Sequence, residues 1–129
     1  MARFDTSDGL RRLRRAGLPV NTVALARFLV GKVIVHDAVN GRLSGRIVET
    51  EAYPVGDATG HAFRGSTQRN RSLFFARGQA YVYLICAISI LLCVSSERAG
   101  IGTGFLLRAI GPLDGVGRME STAPGQPSE

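Results

Sequence analysis

Lysine, cysteine and histidine are scarce in this 129-residue chain, and each scarcity narrows the possible functions. The chain has two cysteines and two histidines, and Lys32 is the only lysine among its 16 basic residues. Cys86 and Cys93 have neither a CxxC spacing nor a histidine pair nearby, so they form no zinc-binding signature. They are typical of free, buried thiols in a reducing cytosol.

The sequence also has no apolar run long enough to be a clear membrane span. The first residues are polar and lack the apolar core of a secretory signal. Residues 80–94 are uncharged and largely apolar, but they fall short of the roughly 20 residues that a spanning helix needs. Because nineteen uncharged residues separate Arg77 from Glu97, membrane association through this run stays open as an alternative. The favoured interpretation is a cytoplasmic, nucleoid-associated protein without a membrane segment.

The composition as a whole indicates one globular domain with an anionic partner. A hydrophobic fraction of 45% and a charged fraction of 20% are ordinary for a folded protein of modest core size. The formal net charge is +6 and the pI is about 10.3, which favours a nucleic-acid partner. The excess of arginine over lysine is also compatible with codon composition, so charge alone does not decide the partner.

Capping residues and turn residues predict the order of the structural elements. Asn21 or Thr22 is a favourable helix N-cap, and the dipeptide Asn40-Gly41 is typical of a tight hairpin turn. The predicted elements are a helix at 22–30, strands at 32–36, 42–52 and 81–84, an undecided apolar segment at 85–94 and a last strand at 105–110. Residues 1–18 form a basic N-terminal segment, 19–113 the folded domain and 114–129 a tail predicted to be disordered because it has few apolar residues.

The residues suited to chemistry are concentrated between Arg46 and Tyr83. Glu49, Glu51 and Tyr53 alternate along a predicted strand, so their side chains share one face. His61 follows in a loop, and after it come arginines that can bind phosphates. These are Arg64, Arg69, Arg71 and Arg77. The simpler interpretations are a structural ion pair for Glu49 and an ordinary loop position for His61.

Several motifs in this order resemble the alkyladenine (3-methyladenine) DNA glycosylase family over about residues 20–113. They are Gly45–Tyr53, His61, Thr67–Arg71, Tyr81–Tyr83, Val94–Ser96 and Leu106–Ala109. The resemblance implies a single α+β domain on a curved antiparallel β-sheet with short flanking helices, monomeric and without metal or organic cofactor. It also implies a monofunctional enzyme of base excision repair. Such an enzyme flips an alkylated or deaminated purine out of double-stranded DNA and hydrolyses its N-glycosidic bond, which leaves an abasic site.

The resemblance also implies a role for five side chains. Glu51 matches the catalytic carboxylate that activates water, and Arg108 matches a residue that holds this water. Tyr53, His61 and Tyr83 match the pocket that receives the flipped base. The chemistry is consistent, because a carboxylate can both deprotonate water and stabilise an oxocarbenium-like state, and a neighbouring arginine keeps it ionised.

The chain departs from the family at positions that contact the substrate. Cys86 and Ala87 replace a Tyr-Gly pair whose tyrosine wedges into the minor groove at a DNA-binding hairpin tip. Cys93 replaces a base-pocket asparagine, and Gly111 replaces a glutamate. The family also continues beyond the end of this sequence. Two functions are therefore expected as alternatives: an impaired glycosylase, or a non-catalytic basic remnant that binds DNA.

Overall fold

A five-stranded antiparallel β-sheet forms the body of the structure, a computed structural model in which residues 9–85 and 89–122 are described. The elements are α1 (Thr22–Leu29), β1 (Val33–Ala38), β2 (Gly41–Tyr53), β3 (Ala80–Ile85), β4 (Ser89–Ser95), β5 (Gly104–Asp114) and α2 (Val116–Thr122). Short 3₁₀ turns lie at Arg15–Gly17 and Arg71–Phe74. The strand order β1-β2-β5-β4-β3 confirms the predicted α+β domain on an antiparallel sheet.

Helix α1 begins where the capping residues predict. The Asn21 side chain accepts a hydrogen bond from the Ala24 amide at 2.9 Å, which satisfies one free donor of the first turn. The Glu97 carboxylate accepts a second one from the Thr22 amide at 2.9 Å, reaching across from the loop after β4. The predicted helix at 22–30 is thus confirmed to within one residue at its end.

The turn predicted at Asn40-Gly41 joins β1 to β2. Gly41 has a φ of +127°, a conformation that residues with a Cβ atom adopt only under strain. The first two strands then pair in register from Ala38 opposite Gly41 to Val33 opposite Arg46. A second hairpin pairs β3 with β4, so the undecided segment at 85–94 contains a strand. Cys86, assigned to the tip of this hairpin, lies outside the described residues.

The sheet buries different side chains on its two faces. On one face, Leu25 and Ala26 of α1 pack on Phe105, which is fully buried. We call this the helix-side core. The opposite face carries what we call the tyrosine-side core. Its buried members are Ala62, Leu73, Tyr81, Tyr83, Cys93 and Leu106. The loops before β3 cover this second face, so most chemically distinctive side chains lie on the side away from α1.

The structure differs from the sequence-based expectation after residue 110. Strand β5 continues to Asp114, which pairs with Ser44 of β2. Helix α2 follows, and the Arg118 guanidinium donates to the Gly41 carbonyl at 2.9 Å. Backbone hydrogen bonds to β2 hold the end of β5 in place. The sequence-based expectation did not include them, because it was based on the few apolar residues of this segment. Residues 116–122 of the segment predicted to be a disordered tail lie in α2, and residues 123–129 lie outside the described range.

The division of the chain at residues 18 and 113 stays a prediction, and residues 1–8 of the basic N-terminal segment are outside the described part. Across the described residues, no helix is both long enough and apolar enough to cross a membrane.

Candidate functional site

One guanidinium joins two carboxylates at the centre of the sheet. Arg108 of β5 places its Nε atom 3.1 Å from Glu49 Oε1 and its Nη1 atom 3.2 Å from Glu51 Oε2. The structural alternative given above for Glu49, an ion pair with a nearby arginine, is thus observed, and the arginine is the same one that contacts Glu51. Because all three side chains are about half exposed, water can reach the carboxylate oxygens.

An irregularity in the pairing of β2 with β5 brings these side chains together. Glu49 lies opposite Ala109 and Thr50 lies opposite Leu107, so the register shifts at this point and Arg108 has no direct partner. Bulges of this kind re-aim a side chain and are frequent beside active sites. Here the bulge lets one arginine reach both glutamates on the same face.

Tyr53 extends this cluster toward a cavity. Its hydroxyl donates to Glu51 Oε1 at 3.1 Å, so the Glu51 carboxylate is contacted on one oxygen by a phenol and on the other by Arg108. Burial raises the pKa of Tyr53, and the hydrogen bond to Glu51 raises it further. The phenol therefore stays protonated at neutral pH and remains a donor to the carboxylate.

The cavity beside Tyr53 contains all four side chains assigned to the base pocket, namely Tyr53, His61, Tyr83 and Cys93. The loop residues from Pro54 to Phe63 form one wall, and Thr103 and Gly104 form part of another. The space open to the centres of water molecules is about 30 Å³, which is room for about two or three waters. The four side chains assigned to the base pocket thus surround one small cavity.

An aromatic stack lies at the back of this cavity. The His61 ring is 4.3 Å from the Tyr83 ring centre to centre, and Tyr83 stacks on Tyr81 at 4.9 Å with an angle of 18° between the planes. The His61 Nδ1 atom also lies 3.4 Å from the Tyr81 hydroxyl. Tyr81 was not assigned to the site from the sequence, although its spacing of two from Tyr83 in a strand places both on one face.

Asn70 was also missed, and it holds the loop that carries His61. Its side-chain nitrogen donates to the carbonyls of His61 at 2.9 Å and Gly65 at 3.2 Å. Its side-chain oxygen accepts from the Thr67 amide at 2.7 Å. Because Asn70 is buried, these bonds are shielded from water and fix the loop to the body of the domain. Asn70 lies in the motif Thr67–Arg71, but that motif does not indicate that its asparagine is buried.

Cys93 lies buried against Tyr83. The Cys93 sulfur is 3.9 Å from the Tyr83 hydroxyl, a weak hydrogen bond at most. Burial raises the pKa of the Cys93 thiol and also that of the Tyr83 phenol. Both groups are therefore neutral at physiological pH, and this part of the cavity is uncharged and largely apolar.

The arginines assigned to DNA binding are not gathered in one place. Arg64 and Arg71 are exposed on the loop between β2 and β3. Arg69 donates to the Leu84 carbonyl at 2.9 Å and so lies beside the outer edge of β3. Arg77 donates to the Leu18 carbonyl at 2.8 Å, which ties its guanidinium to the backbone before α1. Because Arg69 and Arg77 already donate to backbone carbonyls, the exposed Arg64 and Arg71 suit phosphate contacts best.

The described part of the chain has no group of side chains suited to binding a metal ion. No three histidine, cysteine, aspartate or glutamate side chains are grouped there at coordinating distance. The central cluster instead combines two carboxylates, one guanidinium and one phenol, which can hold and deprotonate a water molecule.

Sequence comparison identifies the family of the chain. The profile of the family described as methylpurine-DNA glycosylase (MPG) matches residues 17–129. A protein of Mesorhizobium japonicum named "Putative 3-methyladenine DNA glycosylase" is 62% identical over 104 residues, which are 81% of this chain and 50% of that protein. A protein of the same name from Paraburkholderia phytofirmans is 54% identical over 115 residues, covering 89% of this chain and 54% of the relative.

A more distant relative of the same name, from Chlorobaculum tepidum, is 42% identical over 113 residues, covering 86% of this chain and 54% of the relative. The chain thus spans about half the length of the curated relatives that it matches. The family profile covers most of this chain, and the resemblance noted from its motifs is confirmed. The chain belongs to the methylpurine-DNA glycosylase family.

Proposed function

We propose that this protein hydrolyses the N-glycosidic bond of a modified purine flipped out of double-stranded DNA. The observation that supports this most directly is the position of Glu51. Its carboxylate is contacted by Arg108 and by Tyr53, and Tyr53 also lines the aromatic cavity. A water molecule bound at this carboxylate would therefore lie next to the place where a base could stack.

In this mechanism, Glu51 accepts a proton from the water as the water attacks the sugar carbon. Its negative charge also stabilises the oxocarbenium-like state that develops as the base leaves. Arg108 orients the carboxylate through its Nη1 atom, and its second contact with Glu49 holds the guanidinium in place. The rings of His61, Tyr83 and Tyr53 provide faces on which the extruded base stacks.

The exposed arginines between His61 and the start of β3 provide the contacts with the DNA backbone. Arg64 and Arg71 contact phosphates near the flipped nucleotide, and the net charge of +6 favours DNA over neutral partners. We also propose that the protein is a monomer, associates with the nucleoid and acts on alkylated or deaminated purines. The pocket itself is supported by the grouping of its four assigned side chains around one cavity.

The decisive experiment is a single-turnover assay on a duplex that contains one hypoxanthine, followed by alkaline cleavage of abasic sites. Glu51→Gln should abolish the product because the amide cannot accept the proton. Glu49→Gln is the matched control, since Glu49 contacts the same arginine, and it should retain a measurable rate. Equal loss in both variants from folded protein would contradict a special role for Glu51.

A second candidate function is binding of DNA without catalysis, which the net charge of +6 favours. DNA affinity measured by fluorescence anisotropy should fall by a power of the salt concentration, because several phosphate contacts release counterions. If wild type and Glu51→Gln bind equally and neither forms product, the protein is a DNA-binding member of the family. Product from the wild type alone supports the glycosylase.

A further inference from the structure

Three hydroxyl side chains are buried together where helix α1 meets the loop between β4 and β5. They belong to Thr22, Ser96 and Thr103, which are 1%, 0% and 3% exposed, respectively, and we call them the buried hydroxyl cluster. The Thr22 Oγ1 atom lies 2.8 Å from Ser96 Oγ and 3.4 Å from Thr103 Oγ1. A buried hydroxyl costs free energy unless it is hydrogen-bonded, so the acceptor of each one indicates what it holds in place.

Thr103 is the member of this cluster that reaches the candidate site. Its hydroxyl donates to the carbonyl oxygen of Tyr53, and Thr103 itself lines the cavity. Tyr53 is the last residue of β2, so this bond lies where the chain leaves the sheet and enters the loop that forms one wall of the cavity. The Thr22 hydroxyl instead donates to the Glu97 carboxylate at 3.0 Å, at the start of α1. Of the two threonines, Thr103 is therefore the one that contacts a residue assigned to the site.

Close packing on both sides fixes the position of Thr103. A Cβ atom added at Gly102 would overlap the ring of Phe74, and one added at Gly104 would lie 2.6 Å from the Val94 carbonyl oxygen. The Thr103 carbonyl also accepts a hydrogen bond from the Ser96 amide at 3.1 Å. Because both neighbours of Thr103 are packed this tightly, its backbone has little room to shift. The Thr103 hydroxyl is therefore a donor held at one place relative to the sheet.

Tyr53 makes contacts that depend on its exact placement. Its hydroxyl donates to Glu51 Oε1 at 3.1 Å, and Tyr53 also lines the cavity. Hydrogen bonds weaken steeply as their angle departs from linear, so a small rotation of the Tyr53 backbone would loosen the contact with Glu51. From these contacts we propose that Thr103 is a positioning residue, whose hydroxyl fixes Tyr53 beside Glu51. The effect of Thr103 on the reaction rate rests on the proposed function, whereas its effect on Tyr53 in the free protein does not.

NMR of the protein without DNA tests the placement of Tyr53. Tyr53-Pro54 is the only Tyr-Pro pair in the sequence, so labelling with carbonyl-¹³C tyrosine and ¹⁵N proline singles out the Tyr53 carbonyl. Its resonance should move in Thr103→Val, which lacks the donor, and should keep its wild-type position in Thr103→Ser, which retains the hydroxyl. The pKa of Tyr53 is raised by burial and by the hydrogen bond to Glu51. It should be lower in Thr103→Val than in the wild type, because that hydrogen bond is loosened.

Ser95→Ala is the matched control for loss of a buried hydroxyl. Ser95 is fully buried, and its hydroxyl donates to the Ala76 carbonyl at 3.0 Å, so its loss should leave both Tyr53 signals unchanged. Circular dichroism verifies that each variant is folded, and Thr103→Ala replaces Thr103→Val if the valine variant does not fold. Wild-type Tyr53 signals in a folded variant without the hydroxyl overturn the proposal. A Thr103→Ser protein that behaves like Thr103→Val overturns it as well.

The single-turnover assay on the hypoxanthine duplex measures the consequence for the reaction. Thr103→Val should slow the chemical step by about 10-fold, because it displaces a group that contacts Glu51, and Thr103→Ser should restore the rate. DNA affinity should change little, since Thr103 is buried. A wild-type rate in Thr103→Val would overturn the positioning role even if the Tyr53 signals move. Absence of product from the wild type would instead contradict the proposed function, and the NMR comparison would then decide the role of Thr103 by itself.

Discussion

Replacing Asn70 with alanine should loosen the loop that carries His61. The Asn70 side chain makes three hydrogen bonds, two donated to the carbonyls of His61 and Gly65 and one accepted from the Thr67 amide. Alanine removes all three and leaves the loop groups without these partners. At about 0.5–1.5 kcal/mol for each net hydrogen bond, the free energy of unfolding should fall by about 2–4 kcal/mol.

Two assays can measure the destabilisation expected for Asn70→Ala. If the loop unfolds together with the domain, the melting temperature should fall by roughly 6–15 °C, since 1 kcal/mol corresponds to a few degrees for a domain of this size. Hydrogen exchange at the Thr67 amide should accelerate, because this N–H group donates its hydrogen bond to the Asn70 side-chain oxygen. Fluorescence melting and exchange measured by NMR provide the two values.

A matched control is available two residues away. Gln68 also carries an amide side chain, but it is exposed, so Gln68→Ala should change neither the melting temperature nor the exchange of Thr67. Asn70→Asp adds a further comparison, because it keeps the acceptor for Thr67 and removes both donors. An Asn70→Ala protein with the wild-type melting temperature and unchanged Thr67 exchange would refute the role assigned to Asn70.

Two further predictions concern stability. Gly104→Ala should destabilise the domain by about 1–3 kcal/mol in urea unfolding, because a Cβ atom would lie 2.6 Å from the Val94 carbonyl oxygen. Gly17→Ala, where no atom lies within 4 Å of the added carbon, is the control and should leave stability nearly unchanged. The free energy of unfolding should also decrease above about pH 9. The pKa values of Cys93 and Tyr83 are raised by burial from ordinary values of 9.0 and 10.0, so the unfolded state loses these protons first. Tyr83→Phe should flatten this decrease in urea titrations between pH 8 and 11, and an unchanged slope would refute the assignment.

The parts of the fold that depend on local chemistry were accessible from the sequence. The N-cap at Asn21 and the turn at Asn40-Gly41 act through bonds and backbone angles within a few residues, so the helix and first hairpin lie where predicted. The continuation of β5 to Asp114 depends on pairing with Ser44, seventy positions earlier in the chain. No local pattern after Gly111 records that partner, and the same is true of the Arg118 contact that holds α2.

In the candidate site, too, the features set by local sequence could be predicted and those set by distant strand pairing could not. Alternation in β2 was enough to place Glu49, Glu51 and Tyr53 on one face. The sharing of Arg108 by both glutamates could not be predicted, because it results from a bulge in the pairing of two distant strands. The role of Asn70 was missed for a related reason, because it depends on burial, which the motif Thr67–Arg71 does not indicate.

The link between Glu51 and Arg108 has a kinetic consequence for folding. These residues are 57 positions apart, and they meet only when β5 inserts between β2 and β4. The β1–β2 and β3–β4 hairpins close short loops and can form early, whereas this insertion is the most non-local step and should be slow. A refolding chain should therefore regain hairpin structure before the two charges meet. Limited proteolysis during refolding would detect an interval in which both hairpins are protected while β5 is still cut.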